Sequence, residues 1–134
     1  MDKRELEEGN TLVLQFEKRG GLLPVIVQEY ASGTILMQGY ANQAAIDKTI
    51  ATGYATFWST SRHALWTKGE TSGDLLKIKA IFTDCDQDAL LYQVELLGEG
   101  ACHTQNRDGQ TRKSCFYRQI DLKTLQLKFL DTIE

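Results

Sequence analysis

Asp84, Asp86 and Asp88 set three carboxylates at alternate positions around Cys85, and the two other cysteines of the chain, Cys102 and Cys115, follow downstream. Hard carboxylate oxygens suit magnesium or calcium, whereas thiolates suit zinc. If residues 84–88 are extended, the aspartates point to one face and Cys85 to the other, so two ions of different softness are expected. Three cysteines without an obvious fourth ligand suit a catalytic zinc with one position open to water, since structural sites normally close with four. Bound zinc lowers the pKa of its water to about 7, and hydrolysis of a polarised carbon is the natural chemistry.

His103 adjoins Cys102, and neighbouring side chains diverge on an extended chain. It serves better as a proton shuttle or as a ligand of the second metal. Asp84, Asp86, Asp88 and Glu95 also fall at positions 1, 3, 5 and 12 of an EF-hand loop. Ala89 holds the glycine position there, however, and the flanks read as strands, which argues against a calcium sensor.

Two further stretches, Ser59-Thr60-Ser61-Arg62 and Lys68-Gly69-Glu70-Thr71-Ser72-Gly73, combine hydroxyls, glycine-exposed amides and cations that can wrap a phosphate. The glycine spacing is not that of a Walker A loop. Trp58 and Trp66 flank the site and offer faces on which a base can stack.

These residues need a frame. The chain has 134 residues, enough for a single domain with a real core. Its net charge of −3 gives no basic field for nucleic acid. No run is long enough to span a membrane, and residues 1–10 lack the apolar stretch of a signal peptide. Free thiols then fit a reducing cytoplasm.

The pattern predicts a short polar helix over Met1 to Glu8 and strands over Thr11 to Phe16, Leu22 to Glu29 and Thr34 to Gly39, the last two forming a hairpin through Ser32-Gly33. Asn42 caps a helix through Ile50, with Gly53 as its stop. Tyr54 to Ser59 returns to strand, and Thr60 to Asp74 forms a long connection. Leu75 to Thr83 puts Leu76, Ile78, Ala80 and Phe82 on one face, and Ala89 to Leu97 alternates again, so the acidic cluster joins two antiparallel strands. Cys115 to Ile120 reads as a short strand and Leu122 to Leu130 as an apolar closing segment. The sum is an α+β fold, mostly antiparallel β-sheet with one clear helix.

Phe57-Trp58-Ser59, Leu65-Trp66, Lys68 to Gly73, Asp84 to Leu90, Ala101-Cys102-His103-Thr104 and Ser114-Cys115-Phe116-Tyr117-Arg118 occur in the order found in one family. Over residues 22–120 the chain resembles phosphoribosyl-AMP cyclohydrolase of histidine biosynthesis. The resemblance implies hydrolytic opening of the adenine ring of N1-(5-phosphoribosyl)-AMP. Water adds at C6, the N1–C6 bond breaks, and the ProFAR aminoimidazole carboxamide ribonucleotide forms. It further implies zinc on Cys85, Cys102 and Cys115, and magnesium on Asp84, Asp86 and Asp88. An intertwined homodimer is implied as well, its zinc site taking Cys85 from one subunit and the other two cysteines from its partner. Arg62, Lys68, Thr71 and Ser72 become phosphate or ribose contacts, and His103 the acid–base group.

Three features depart from the common form. Twelve residues separate Cys102 from Cys115, Thr67 precedes Lys68-Gly69, and Gly39-Tyr40-Ala41-Asn42 replaces a small-aromatic-Met-Asn run. The long link leaves room for a second reading, a zinc-stabilised dimer without activity. A third is a related hydrolase of another modified nucleotide. No fused pyrophosphohydrolase domain is expected after Glu134.

Overall fold

Apolar alternation builds a four-stranded sheet in the order β2-β1-β6-β5, from β1 (Leu23–Glu29), β2 (Ile35–Ala41), β5 (Leu76–Thr83) and β6 (Leu90–Leu96). The computed structural model describes residues 2–130. β1 pairs antiparallel with β2 and parallel with β6, and β5 pairs antiparallel with β6. Pro24 lies in β1 just before its pairing with β6 begins at Val25, where a missing donor is harmless.

One face of this sheet carries the core. Leu23, Val25, Val27, Tyr92 and Val94 pack there with Ala45 and Ile46 of α2 (Gln43–Thr52) and with Phe57 of β3 (Thr56–Ser59). The predicted caps of α2 are present: the Asn42 side chain accepts from the Ala45 N–H at 2.8 Å, and Gly53 takes φ 81°. The opposite face has no cover among the described residues and exposes Ile26, Ile35 and Phe82.

The described residues depart from the sequence expectations in several places. The N-terminal helix α1 is Lys3–Glu8, capped by Asp2; Met1 lies outside the described residues, as do residues 131–134. Residues 11–16 form no strand, because their backbone bonds to Gln87 instead of to a ladder: Val13 N–H donates to Gln87 Oε1, and Gln87 Nε2 donates to the Thr11 carbonyl. The expected long connection contains β4 (Ala64–Thr67), which pairs with β3.

In β5 the register slips between Ile78 and Ala80, so that Ile81 rather than Ala80 lies opposite core-facing Tyr92 and Phe82 turns outward. The strand expected from Cys115 begins only at Arg118, since the Cys115 N–H bonds to the Leu36 carbonyl and the Phe116 N–H to Ser114 Oγ. That strand, β7 (Arg118–Ile120), pairs with β8 (Leu127–Phe129) in a separate hairpin.

Candidate metal centre

The acidic segment is a closed turn between β5 and β6, not an extended run. Asp84 accepts the N–H groups of Asp88 at 2.9 Å and Ala89 at 3.0 Å on one carboxylate oxygen, and Gln87 sits in the left-handed region at φ 57°. Wrapping, rather than strand alternation, therefore gathers Asp84, Asp86 and Asp88, whose ligand oxygens lie within 4.8 Å of one another.

Two cations that sequence reasoning passed over meet this cluster. Lys18 Nζ lies 2.8 Å from both Asp86 and Asp88, and Arg19 lies 2.9 Å from Asp88. The Lys18 ammonium holds the buried Asp88 carboxyl well below the usual carboxylate range, and the two aspartates hold Lys18 above the usual lysine range. Burial pushes Asp84 the other way, upward, against the donors on its oxygen. The only sequence signal was a basic pair just ahead of Gly20-Gly21.

The long link after Cys102 folds back as a ribbon. Cys102 N–H donates to the Arg112 carbonyl at 3.2 Å, Arg112 N–H to the Thr104 carbonyl at 3.1 Å, and Gln105 bridges Thr111. The tip turns on Asn106, whose side-chain oxygen accepts from Asp108 and Gln110, and on Gly109 at φ 77°. Gly100 permits the close approach, because a Cβ there would lie 2.3 Å from the Arg112 carbonyl oxygen. Ser114 and Cys115 are pinned to β2 through the carbonyls of Ile35 and Leu36, each at 2.7 Å.

This ribbon brings Cys102 and Cys115 close enough for the ionisation of each sulfur to be felt by the other. Burial alone would raise the Cys102 thiol. The Thr104 hydroxyl and N–H, the Cys115 thiol and the Arg112 charge outweigh it and lower it. Cys115 is pushed up to about 11 by desolvation and then by the Cys102 charge, with Lys68 pulling the other way. Cys102 is thus the sulfur that ionises first.

Among the described residues, no third histidine, cysteine or carboxylate joins the pair within 4.8 Å. Cys85 is exposed on the acidic turn between β5 and β6, whereas Cys115 is bound to β2, with β1 between β2 and β6. The turn precedes Leu90, whereas Cys115 is tied to Leu36, which neighbours Ile35 opposite Gln28 and so lies level with Gln93, midway along β6. Leu90 and Gln93 are three residues apart, about 10 Å of strand, and two inter-strand steps of about 5 Å each separate β2 from β6.

Lys68 is 8% exposed, and its charge reaches Cys115. Its loop closes through Gly69 at φ 82°, where a Cβ would lie 2.2 Å from the Asp74 backbone, and Asp74 accepts the Glu99 N–H at 3.0 Å. Arg62 and Lys68 both lie over the Trp66 ring, at 6.0 and 5.9 Å. Thr71, Ser72 and His103 are exposed, Ser72 accepting from the Asp74 N–H and His103 standing beside buried Cys102. The sequence-predicted residues therefore divide into two groups. Lys68 lies near Cys115, on the ribbon that also carries Cys102, with Arg62 linked to Lys68 through Trp66; the three aspartates and Cys85 lie on the β5–β6 turn.

Two cysteines near a buried lysine, with a carboxylate cluster that could hold a metal ion on the β5–β6 turn, offer the donor sets of a metal-assisted hydrolase. The family model for phosphoribosyl-AMP cyclohydrolase matches residues 37–117. A phosphoribosyl-AMP cyclohydrolase of Solibacter usitatus is 51% identical over 108 residues, which are 81% of each chain. One of Chelativorans sp. is 46% identical over 123 residues, 91% of this chain and 84% of its own. The histidine biosynthesis bifunctional protein HisIE of Aquifex aeolicus is 47% identical over 110 residues, 82% of this chain and half of its own length. The chain belongs to the phosphoribosyl-AMP cyclohydrolase family.

Proposed function

We propose that two copies of this chain together open the adenine ring of N1-(5-phosphoribosyl)-AMP, with zinc held by Cys102 and Cys115 of one copy and Cys85 of the other. Its family membership makes the chain a phosphoribosyl-AMP cyclohydrolase of histidine biosynthesis, a hydrolase of a cyclic amidine. The single observation that carries the shared site is that Cys115 is bound to β2 at one edge of the sheet whereas Cys85 lies on the β5–β6 turn, with β1 between, and joins no group of three ligand atoms with Cys102 and Cys115 among the described residues. A lone chain offers two sulfurs where the site needs three. The uncovered apolar face, whose groove of about 450 Å³ includes Ile26, Phe82 and Asp84, adjoins the turn bearing Cys85 and supports pairing of two copies there.

The substrate fits the residues present. Alkylation at N1 leaves the purine cationic, so C6 is already electrophilic. Cys85, Cys102 and Cys115 would hold zinc, which when bound would supply an activated water for addition at that carbon. Lys68, reached by the field at Cys115, and Arg62 across Trp66 hold phosphate, with Thr71 and Ser72 completing the anion contacts. His103, beside Cys102, delivers the proton that N1 needs as the N1–C6 bond breaks. Asp84, Asp86 and Asp88 hold magnesium, with Lys18 and Arg19 yielding their place on the carboxylates.

Mixed dimers test the shared site. Cys85→Ala and Cys102→Ala should each be inactive and zinc-poor. After subunit exchange, half of the molecules are mixed, and each mixed dimer contains one intact site, so about a quarter of wild-type turnover should return. Exchange without recovery would overturn the shared site. Absence of turnover by wild-type protein loaded with zinc and magnesium would overturn the activity.

A further inference from the structure

We propose that Thr104 is a positioning residue for the Cys102 sulfur, its hydroxyl proton aimed at that sulfur by Arg112. This rests on the reading of Cys102 as a zinc ligand and concerns how the chain prepares that ligand before metal arrives.

The direction of the proton follows from donor chemistry. Thr104 Oγ1 lies 2.9 Å from Cys102 Sγ and 3.2 Å from Arg112 Nη1. A guanidinium nitrogen only donates. Arg112 therefore occupies one lone pair of the hydroxyl, and towards a Cys102 thiolate, which can only accept, the hydroxyl gives its proton. The Thr104 N–H points at the same sulfur from 3.4 Å, so one residue delivers two donors to it. Both donors favour a sulfur with lone pairs exposed and proton gone, the form a metal requires.

Arg112 is itself fixed. Its N–H bonds the Thr104 carbonyl, its carbonyl accepts from Cys102, and its guanidinium carbon lies 3.9 Å from the centre of the Tyr117 ring and 5.6 Å from that of Phe129. Tyr117 and Phe129 are 6.0 Å apart and tie the ribbon to the β7–β8 hairpin. Arg112, Thr104 and Cys102 thus form a directed chain in which each member is held by its neighbours.

Cobalt(II) replaces zinc as the probe, because its thiolate charge-transfer absorption reports the sulfur directly. Chelator competition gives its affinity. Thr104→Val removes the hydroxyl and keeps the shape, and should weaken cobalt binding about 10- to 100-fold, the usual cost of losing a partner behind a metal ligand. Thr104→Ser should restore it. Arg112→Met frees the hydroxyl proton to turn away, and should lower affinity and shift the charge-transfer band in the same direction as Thr104→Val. Thr104→Val binding cobalt within twofold of wild type, with an unshifted band, would overturn the proposal. If Thr104→Val does not fold, an unshifted band and unchanged affinity in Arg112→Met would do the same. Wild-type protein lacking any thiolate-to-cobalt band would instead overturn Cys102 as a ligand, and the proposal with it.

Discussion

Lys18 reaches across from the segment before β1 to place its ammonium nitrogen 2.8 Å from the Asp88 carboxylate, while touching Asp86 at the same distance. It stands where a divalent cation would bind the same oxygens. Magnesium must displace it, so Lys18→Met should raise magnesium affinity several-fold. Manganese binding followed by electron paramagnetic resonance gives the number. A weaker site in Lys18→Met would mean that the lysine orients the carboxylates instead of competing for them.

The same contact makes stability depend on acid. Asp88 has a folded pKa below its unfolded value, so the unfolded chain takes up the proton first as pH falls. The contribution is present above about pH 4 and is lost on further acidification. Asp84, raised by burial, acts in the opposite sense and blunts part of the effect. Denaturant titrations of chelator-treated protein should show wild type losing its advantage over Lys18→Met between about pH 4 and 2. A constant difference across that window would show that the Lys18 contact is not felt by Asp88.

Gln87 shows how one side chain substitutes for a strand. It is 6% exposed, accepts from the Val13 N–H at 2.8 Å, and donates to the carbonyls of Leu6 and Thr11 at 3.2 and 3.1 Å. Gln87→Ala strands those part-buried groups, and should cost about 1–3 kcal/mol. Amide exchange in residues 6–15 should accelerate ahead of exchange in β1 and β6. Equal acceleration throughout would mean that the N-terminal segment and the sheet open as one unit.

The two clustered sulfurs should titrate far apart. In a Cys85→Ala background the thiolate absorbance should rise first below the ordinary thiol range, as Cys102 ionises, and again only near pH 11, as Cys115 follows. The first group adds stability that is lost as pH falls. The second is a raised thiol, so stability drops as pH climbs from the ordinary thiol range toward 11. A single step near the value of a free cysteine would separate the sulfurs and undo the pair.

Local patterns were readable where local physics decides them. Asn42 and Gly53 bracket α2 because capping acts within a turn, and the alternation of β1 and β6 follows from burial of one face. Phe82 was misplaced because a bulge is invisible to strict alternation. Residues 11–16 were misread because their partner, Gln87, lies more than seventy positions away. The candidate ligands were named by residue chemistry and resemblance. That Cys102 and Cys115 share one ribbon bound to β2 while Cys85 stands on the β5–β6 turn depends on the ribbon, a parallel β1–β6 pairing and backbone bonds to β2, none of which has a short-range signature.

The open face of the sheet gives the assembly its sharpest test. Ile26, Ile35 and Phe82 are 37%, 40% and 48% exposed, and Phe82 is turned outward by the bulge in β5, next to the turn that carries Cys85. A side chain already in water has little to lose in the isolated chain, so Phe82→Glu should leave the fold intact. Its charge would be desolvated only where two copies meet, and an unpaired buried charge is costly. Sedimentation should therefore show Phe82→Glu shifting toward monomer, with circular dichroism unchanged. Zinc content and turnover should fall with the dimer and recover in part at high protein concentration, because a missing partner sulfur is restored by mass action. A variant that stays dimeric with full zinc would place the contact elsewhere on the chain, and the third sulfur would have to be delivered by a different surface.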